Sequence, residues 1–189
     1  MIPDPHLWAH DLSQLHAEIW KRLIRGVHDR HAPARHPTLA TVTKDGQPQA
    51  RTVVLRAANR ASTSLDIHTD LQSSKVADVT TTPYAALHIW DRSAHLQIRL
   101  EAKASVLTGR ETEGIWEKVP EASRLSYGNS PPSGTSIPTA LDYLKKADQD
   151  FFAVLRLEVL SIDALHLGQN HRRARFNVDD NWSGIWLVP

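Results

Sequence analysis

The chain contains no cysteine. Disulfides, thiolate catalysis and cysteine-ligated zinc or iron–sulfur sites are therefore excluded at once. It also lacks an excess of charge of either sign: 22 Lys and Arg face 21 Asp and Glu, a net charge of +1. That balance gives no general electrostatic case for nucleic acid or a membrane surface as partner. No apolar run approaches the length of a membrane span. The opening MIPDPHLWAHDLSQ has neither a basic start nor a long apolar stretch, so it does not read as a secretory signal, and a cytoplasmic protein is expected. The G-x-G-x-x-G, P-loop, G-x-S-x-G and H-E-x-x-H patterns are all missing. The 11 histidines lack ligand-like spacing; His28, His31 and His36 fall in a charged helix end and loop, and no metal site is expected.

What is present is an ordinary globular composition, 41% hydrophobic and 23% charged over 189 residues. This length fits one domain, 1–189, with a helix in 1–30 and the remainder in 35–189. Leu12, Leu15, Ile19, Leu23 and Val27 repeat at helical spacing, and Asp11 is placed to cap the helix they define. After the prolines near His36 the period changes. Residues 38–43 and 49–56 read as strands joined by the Asp45-Gly46 hairpin signal, and 64–69 as a third strand. A short helix is expected over 73–80. A second hairpin pairs 84–90 with 95–107, where Leu96, Ile98, Leu100 and Ala102 alternate with Gln97, Arg99, Glu101 and Lys103. Helices are expected over 110–127 and 139–147, separated by a loop rich in Ser, Pro and Gly. Strands follow over 151–161, 171–178 and 182–188. The fold class is α+β, mostly β: an antiparallel barrel with peripheral helices.

The chemistry-bearing residues cluster early. Arg51 and Arg56 bracket an apolar run, His68 and Thr69 end a strand, and Ser73, Ser74 and Lys75 open a helix. A helix start presents free N–H groups and the positive end of its dipole to an anion. Arginine adds planar donors suited to phosphate. Together these residues suit a phosphorylated small molecule lying across a sheet edge. Taken one at a time, Arg51, Arg56 and Lys75 read equally well as solvated charges.

The ordered set of Arg-x-Val-Val-Leu-Arg, a strand ending in His68-Thr69, a Ser-x-Lys helix and Gln97-Ile-Arg-Leu-Glu101 resembles the pyridoxamine 5′-phosphate oxidase family of FMN-binding split barrels. The resemblance runs from about residue 35 to the C-terminus. Ser123–Tyr127, His171–Phe176 and the terminal Trp186–Pro189 bring it nearest the general oxidase-like FMN-binding branch. It implies a split barrel, an FMN cofactor and a homodimer with the flavin at its interface. It further implies that Arg51, Thr52, Val53, Val54, Leu55 and Arg56 run beside the flavin. His68, Thr69, Ser74 and Lys75 complete that side. Gln97 would approach from the partner subunit, and Arg175 would lie near flavin N1 and O2. The vitamin B6 half of the pattern departs: the family's Arg-x-His reads His171-Arg172-Arg173, Leu165 stands for a tryptophan, and the tyrosine, arginine and serine for the substrate phosphate have no counterpart in Trp116–Arg124. Catalytic residues stay unassigned; Tyr127, His171 and Arg173 are the candidates for touching a substrate. The implied function is an FMN-binding oxidoreductase of unknown substrate. The alternatives are a genuine pyridoxamine 5′-phosphate oxidase, a deazaflavin-binding split barrel, or a flavin-binding module without turnover.

Overall fold

The computed structural model describes residues 5–189, so the first four residues of the expected domain lie outside the described residues. The longer helices are α1 (Leu12–His28) and α2 (Ser74–Thr81), with single turns α3 (Glu113–Trp116) and α4 (Glu121–Arg124). The strands are β1 (Thr38–Val42), β2 (Pro48–Thr52), β3 (Leu55–Asn59), β4 (Ser64–Asp70), β5 (Tyr84–Asp91), β6 (Leu96–Leu107), β7 (Phe152–His166), β8 (Arg172–Asn177) and β9 (Ile185–Leu187). Among the described residues these nine strands form one sheet, in the order β2-β1-β5-β6-β7-β4-β3, with β8 added to β7 and β9 to β8.

The sheet parts at β7. One edge of this long strand pairs with β6 from Val154 to His166. The other edge is divided, with Phe152–Glu158 on β4 and Ser161–His166 on β8. A strand that serves different neighbours along one edge lets the sheet curl without closing, which is a split barrel. Alternation along β6 points Leu96, Ile98 and Leu100 inward, where they are fully buried. The apolar stripe of α1, with Leu15, Ile19, Trp20 and Leu23, packs into that same core. Asp11 accepts from the Gln14 N–H at 2.9 Å and caps α1 as its sequence implies. Gly26 lets the end of α1 approach the following chain: a Cβ there would stand 2.7 Å from the Ala34 carbonyl carbon.

Four sequence expectations are corrected. The single strand over 49–56 is two, because the Val53 N–H turns to the Pro37 carbonyl at 3.0 Å and the chain crosses from β1 to β4. The helix over 110–127 is interrupted at Pro120, which lacks a donor and restricts the residue before it. Residues 139–147 form no helix: Leu141 and Leu144 are exposed, and the Leu144 backbone pairs with Ser130 instead. The strand expected over 151–161 extends to His166.

His16 sits in the wall between α1 and the C-terminal strands. Its Nε2 accepts from Trp20 Nε1 at 3.1 Å, and its ring stacks on Trp182 at 5.6 Å. Burial, helped by the charge of Arg60, pushes this imidazole down to about 4. The fold therefore holds it neutral, whereas the unfolded chain protonates it near its ordinary value. The stabilisation is present above about pH 6.5 and is lost as pH falls toward 4. Between pH 7 and 5 the loss is at most about 2 kcal/mol for this group. Urea unfolding is expected to show lower stability at pH 5 than at pH 7, with a smaller difference in His16→Gln. An equal difference in the variant would remove His16 as the cause.

Candidate functional site

The crossing between β2 and β3 opens a cavity of about 310 Å³. Its walls come from Thr52, Val53, Val54 and Arg56, from His68 and Thr69 at the end of β4, and from Ser73 and Lys75 at the start of α2. The segment after α4 covers it with Ser126, Tyr127, Asn129 and Ser133. That cover is tied down where the Gly128 N–H donates to Asp70 Oδ2 at 2.7 Å. Gly128 has φ of +101°, and a Cβ would meet the Asp148 Cβ at 2.7 Å, so glycine alone fits there.

Lys75 Nζ donates to Thr69 Oγ1 at 2.9 Å, and Thr69 Oγ1 lies 3.1 Å from Ser73 Oγ. Burial, followed by the neighbouring Arg51 guanidinium, lowers the Lys75 pKa. Arg51 is half-buried on the strand beside it, against Thr41 and Asp78. Burial and repulsion from Arg51 thus make the Lys75 ammonium give up its proton more readily than usual, an effect that Asp70 and Asp78 offset only in part. An incoming dianion relieves that repulsion.

The other end of the cavity is different in character. The His68 ring stands edge-on to Phe152 at 5.1 Å. Burial and the Arg56 charge push its pKa down to about 4, so it is neutral at pH 7. Burial raises the Tyr127 phenol. Arg56 Nε and Asn129 Oδ1 are buried with no hydrogen-bond partner among the described residues. A donor and an acceptor left open beside a largely uncharged pocket match the needs of a flavin ring edge, which offers carbonyl oxygens and one N–H. A second cavity of about 330 Å³ shares Arg56 and His68 and is lined further by Arg35, Asp66, Ile115, Lys118 and Val119.

The structure therefore brings Thr52, Val53, Val54, Arg56, His68, Thr69, Lys75 and Tyr127 around one cavity; Arg51 does not line it, and instead contacts Thr41 and Asp78. Ser74 is exposed at the start of α2, with Ser73 buried toward the cavity in its place. The Leu55 side chain is fully buried in the core. Gln97 and Arg175 lie on the outer face of the sheet, away from this cavity. There the row Arg99–Asp163–Arg175 crosses three strands beside the row Gln97–Leu165–Arg173. Asp163 Oδ2 takes Arg173 at 2.9 Å, Arg99 at 3.0 Å and Arg175 at 3.5 Å. His171 is exposed and outside the cavity. Sequence reasoning missed Asn129 and Ser133, because a loop rich in Ser and Pro carries no periodicity to say what it covers.

Comparison with known proteins identifies the family and the fold. Residues 17–108 match the model of the pyridoxamine 5′-phosphate oxidase FMN-binding domain. A pyridoxine/pyridoxamine 5′-phosphate oxidase of Xanthomonas euvesicatoria pv. vesicatoria is 34% identical over 155 residues, covering 80% of this chain and 68% of that protein. The chain belongs to the pyridoxamine 5′-phosphate oxidase family. FMN is the cofactor of the domain it matches. Other relatives of the same name are matched over less of their length: the Mycolicibacterium paratuberculosis protein is 37% identical over 87 residues, 46% of this chain and 39% of its own. The chain thus spans about two fifths of that relative. Among solved structures, a pyridoxamine 5′-phosphate oxidase-related FMN-binding protein from Nostoc punctiforme has a TM-score of 0.73 at 23% identity, covering 100% of this chain and 99% of that one. PhzG from Burkholderia lata, solved with tetrahydrophenazine-1-carboxylic acid, has a TM-score of 0.71 at 20% identity, covering 100% and 98%. At that identity these two establish the shared split-barrel fold.

Proposed function

We propose that this chain is an FMN-dependent oxidoreductase that holds its flavin in the cavity at the start of α2. The observation that carries the reading is Lys75 at the start of α2, lining one end of a cavity whose other end leaves Arg56 Nε and Asn129 Oδ1 open, with Arg51 bound to Asp78 of the same helix. Lys75, Thr69, the N–H groups at the start of α2 and Arg51 hold the phosphate. Val53, Val54 and Arg56 lie along the ring system, with neutral His68 and Tyr127 on its flank. Bound FMN supplies hydride chemistry, while the protein supplies orientation and exclusion of competing reactions.

The same reading takes the protein as a homodimer. Gln97 and Arg175 belong to the flavin site in this family resemblance, yet they lie on the outer sheet face, so a second copy has to deliver them. That face is suited to a copy of itself. It carries exposed Tyr84 and Trp90 and an apolar depression of about 460 Å³ lined by Ala40, Val42, Pro48 and Leu160. A fixed cation such as Arg175 beside the flavin edge favours the reduced anion.

Isothermal titration is expected to give one FMN per chain, with FAD binding much more weakly, because the cation cluster suits one terminal phosphate. Light scattering of the FMN-saturated protein is expected to give a dimer. Equal or tighter FAD binding contradicts the phosphate site, and a saturated monomer contradicts the shared flavin. A yellow protein bleached by reductant separates the flavin reading from a colourless binding module.

A further inference from the structure

Arg51 does not stand free in the site. Its Nη1 donates to Thr41 Oγ1, and its Nη2 lies 3.4 Å from Asp78 Oδ2. Thr41 Oγ1 in turn donates to the same Asp78 oxygen at 2.6 Å. Thr41 is 2% exposed on β1, and Asp78 is 6% exposed on α2. A buried carboxylate is costly unless it is paired and hydrogen-bonded, and here both needs are met by residues from two other strands. We propose that Asp78, acting through Thr41, is the positioning residue for Arg51, fixing its guanidinium over the first turn of α2 where the phosphate binds. This assignment rests on the flavin reading above and deepens it.

The reasons are geometric. Asp78 lies one helical turn beyond Lys75, so a guanidinium anchored to it is held on the Lys75 side of α2. Guanidinium has five N–H donors, and the Thr41 and Asp78 contacts leave others to meet a ligand. An arginine already fixed in place loses little rotamer freedom when it captures an anion, whereas a free one loses it at that moment. The other carboxylate near Lys75 does not substitute: Asp70 is occupied by the N–H groups of Gln72 and Gly128, both at 2.7 Å. Thr41 is suited to the link because one hydroxyl donates to the carboxylate while its oxygen accepts from the arginine.

Simple charge counting gives the opposite expectation, because a carboxylate near the site repels a phosphate. The two accounts are therefore separable. FMN and riboflavin affinities are measured for the wild type, Asp78→Asn, Thr41→Val, Thr41→Ser, Arg51→Ala and the double variant Arg51→Ala/Asp78→Asn. Riboflavin lacks the phosphate and reports the rest of the site. Asp78→Asn and Thr41→Val are each expected to weaken FMN binding about tenfold, a typical loss for one charge-assisted hydrogen bond. Riboflavin binding stays within about twofold by the same affinity scale. Thr41→Ser keeps the wild-type FMN affinity, and Asp78→Asn causes no further loss once Arg51 is alanine. Tighter FMN binding in Asp78→Asn overturns the assignment in favour of plain repulsion. Parallel loss of both ligands, or no loss of either, overturns it as well. If Asp78→Asn does not fold, Thr41→Val, which keeps every charge, decides. A wild type that binds no FMN overturns the flavin reading, and this assignment with it.

Discussion

Replacing Lys75 or Arg51 by alanine is expected to weaken FMN binding by about ten- to a hundredfold each, from the loss of ~1.5–3 kcal/mol per charged hydrogen bond. Both side chains sit where water is partly excluded, so their charges act on the phosphate with less screening than at an open surface. The fold is expected to survive both changes. When Lys75 is removed, Thr69 Oγ1 retains Ser73 Oγ at 3.1 Å. When Arg51 is removed, Thr41 and Asp78 retain each other at 2.6 Å. The two effects are not expected to add, because the charge of Arg51 is felt at Lys75 and the two groups are coupled. Calorimetric titration gives the affinities, and circular dichroism with thermal unfolding confirms the fold. Two variants that bind FMN as the wild type does would place the phosphate elsewhere.

Pyridoxamine 5′-phosphate is expected to be a poor substrate, with kcat/KM below ~10⁴ M⁻¹s⁻¹ at saturating FMN, short of the usual enzyme range. The names of the relatives point to that substrate, but the residues that would hold its phosphate do not. The family resemblance places tyrosine, arginine and serine in the stretch now formed by α3, Pro120 and α4. Here Ile115, Lys118 and Val119 line the second cavity, together with Asp66. Two arginines that could stand in for the missing donors, Arg124 and Arg173, are already used. Arg124 donates to the Val119 and Glu117 carbonyls at 2.9 and 3.0 Å and lies over the Trp116 ring. Arg173 is bound to Asp163. Arg35, Arg56 and Lys118 remain as cations on that cavity, but Arg35 already donates to the Gly26, Val27 and Leu55 carbonyls, and the flavin reading uses Arg56 along the ring system. Oxygen-dependent formation of pyridoxal 5′-phosphate is the measurement. A specificity constant at or above ~10⁴ M⁻¹s⁻¹ would show that Lys118 and Arg56 suffice for a vitamin B6 site.

Much of this molecule is legible one residue at a time. The α1 stripe, the Asp11 cap, the Asp45-Gly46 hairpin with its positive φ at Gly46, and the alternation of β6 all depend on spacing along the chain. Local spacing is what side-chain periodicity and turn chemistry encode. The ordered set around Arg51, His68 and Lys75 is likewise visible; His68 and Lys75 line one cavity, while Arg51 contacts Asp78 on the same helix as Lys75. What failed were elements whose form depends on distant partners. Residues 139–147 have helix-compatible spacing, but Leu141 and Leu144 find no core to face. The run from Arg51 to Arg56 is strand-like throughout, yet its two halves pair with β1 and β4.

The sequence by itself determined the antiparallel β character, the core-facing positions and a set of residue types that suits a phosphate, because each follows from period, propensity or donor chemistry. Only the tertiary structure decided that β7 divides its edge between β4 and β8, which is what opens the barrel. It alone decided that Asp70 ties down the loop at Gly128, and that Thr41 and Asp78 hold Arg51. It also separated Gln97 and Arg175 from Lys75, onto the opposite side of the sheet. These are contacts between residues far apart in sequence, fixed by register and by which buried polar groups must find partners. No window along the chain contains both members of such a pair.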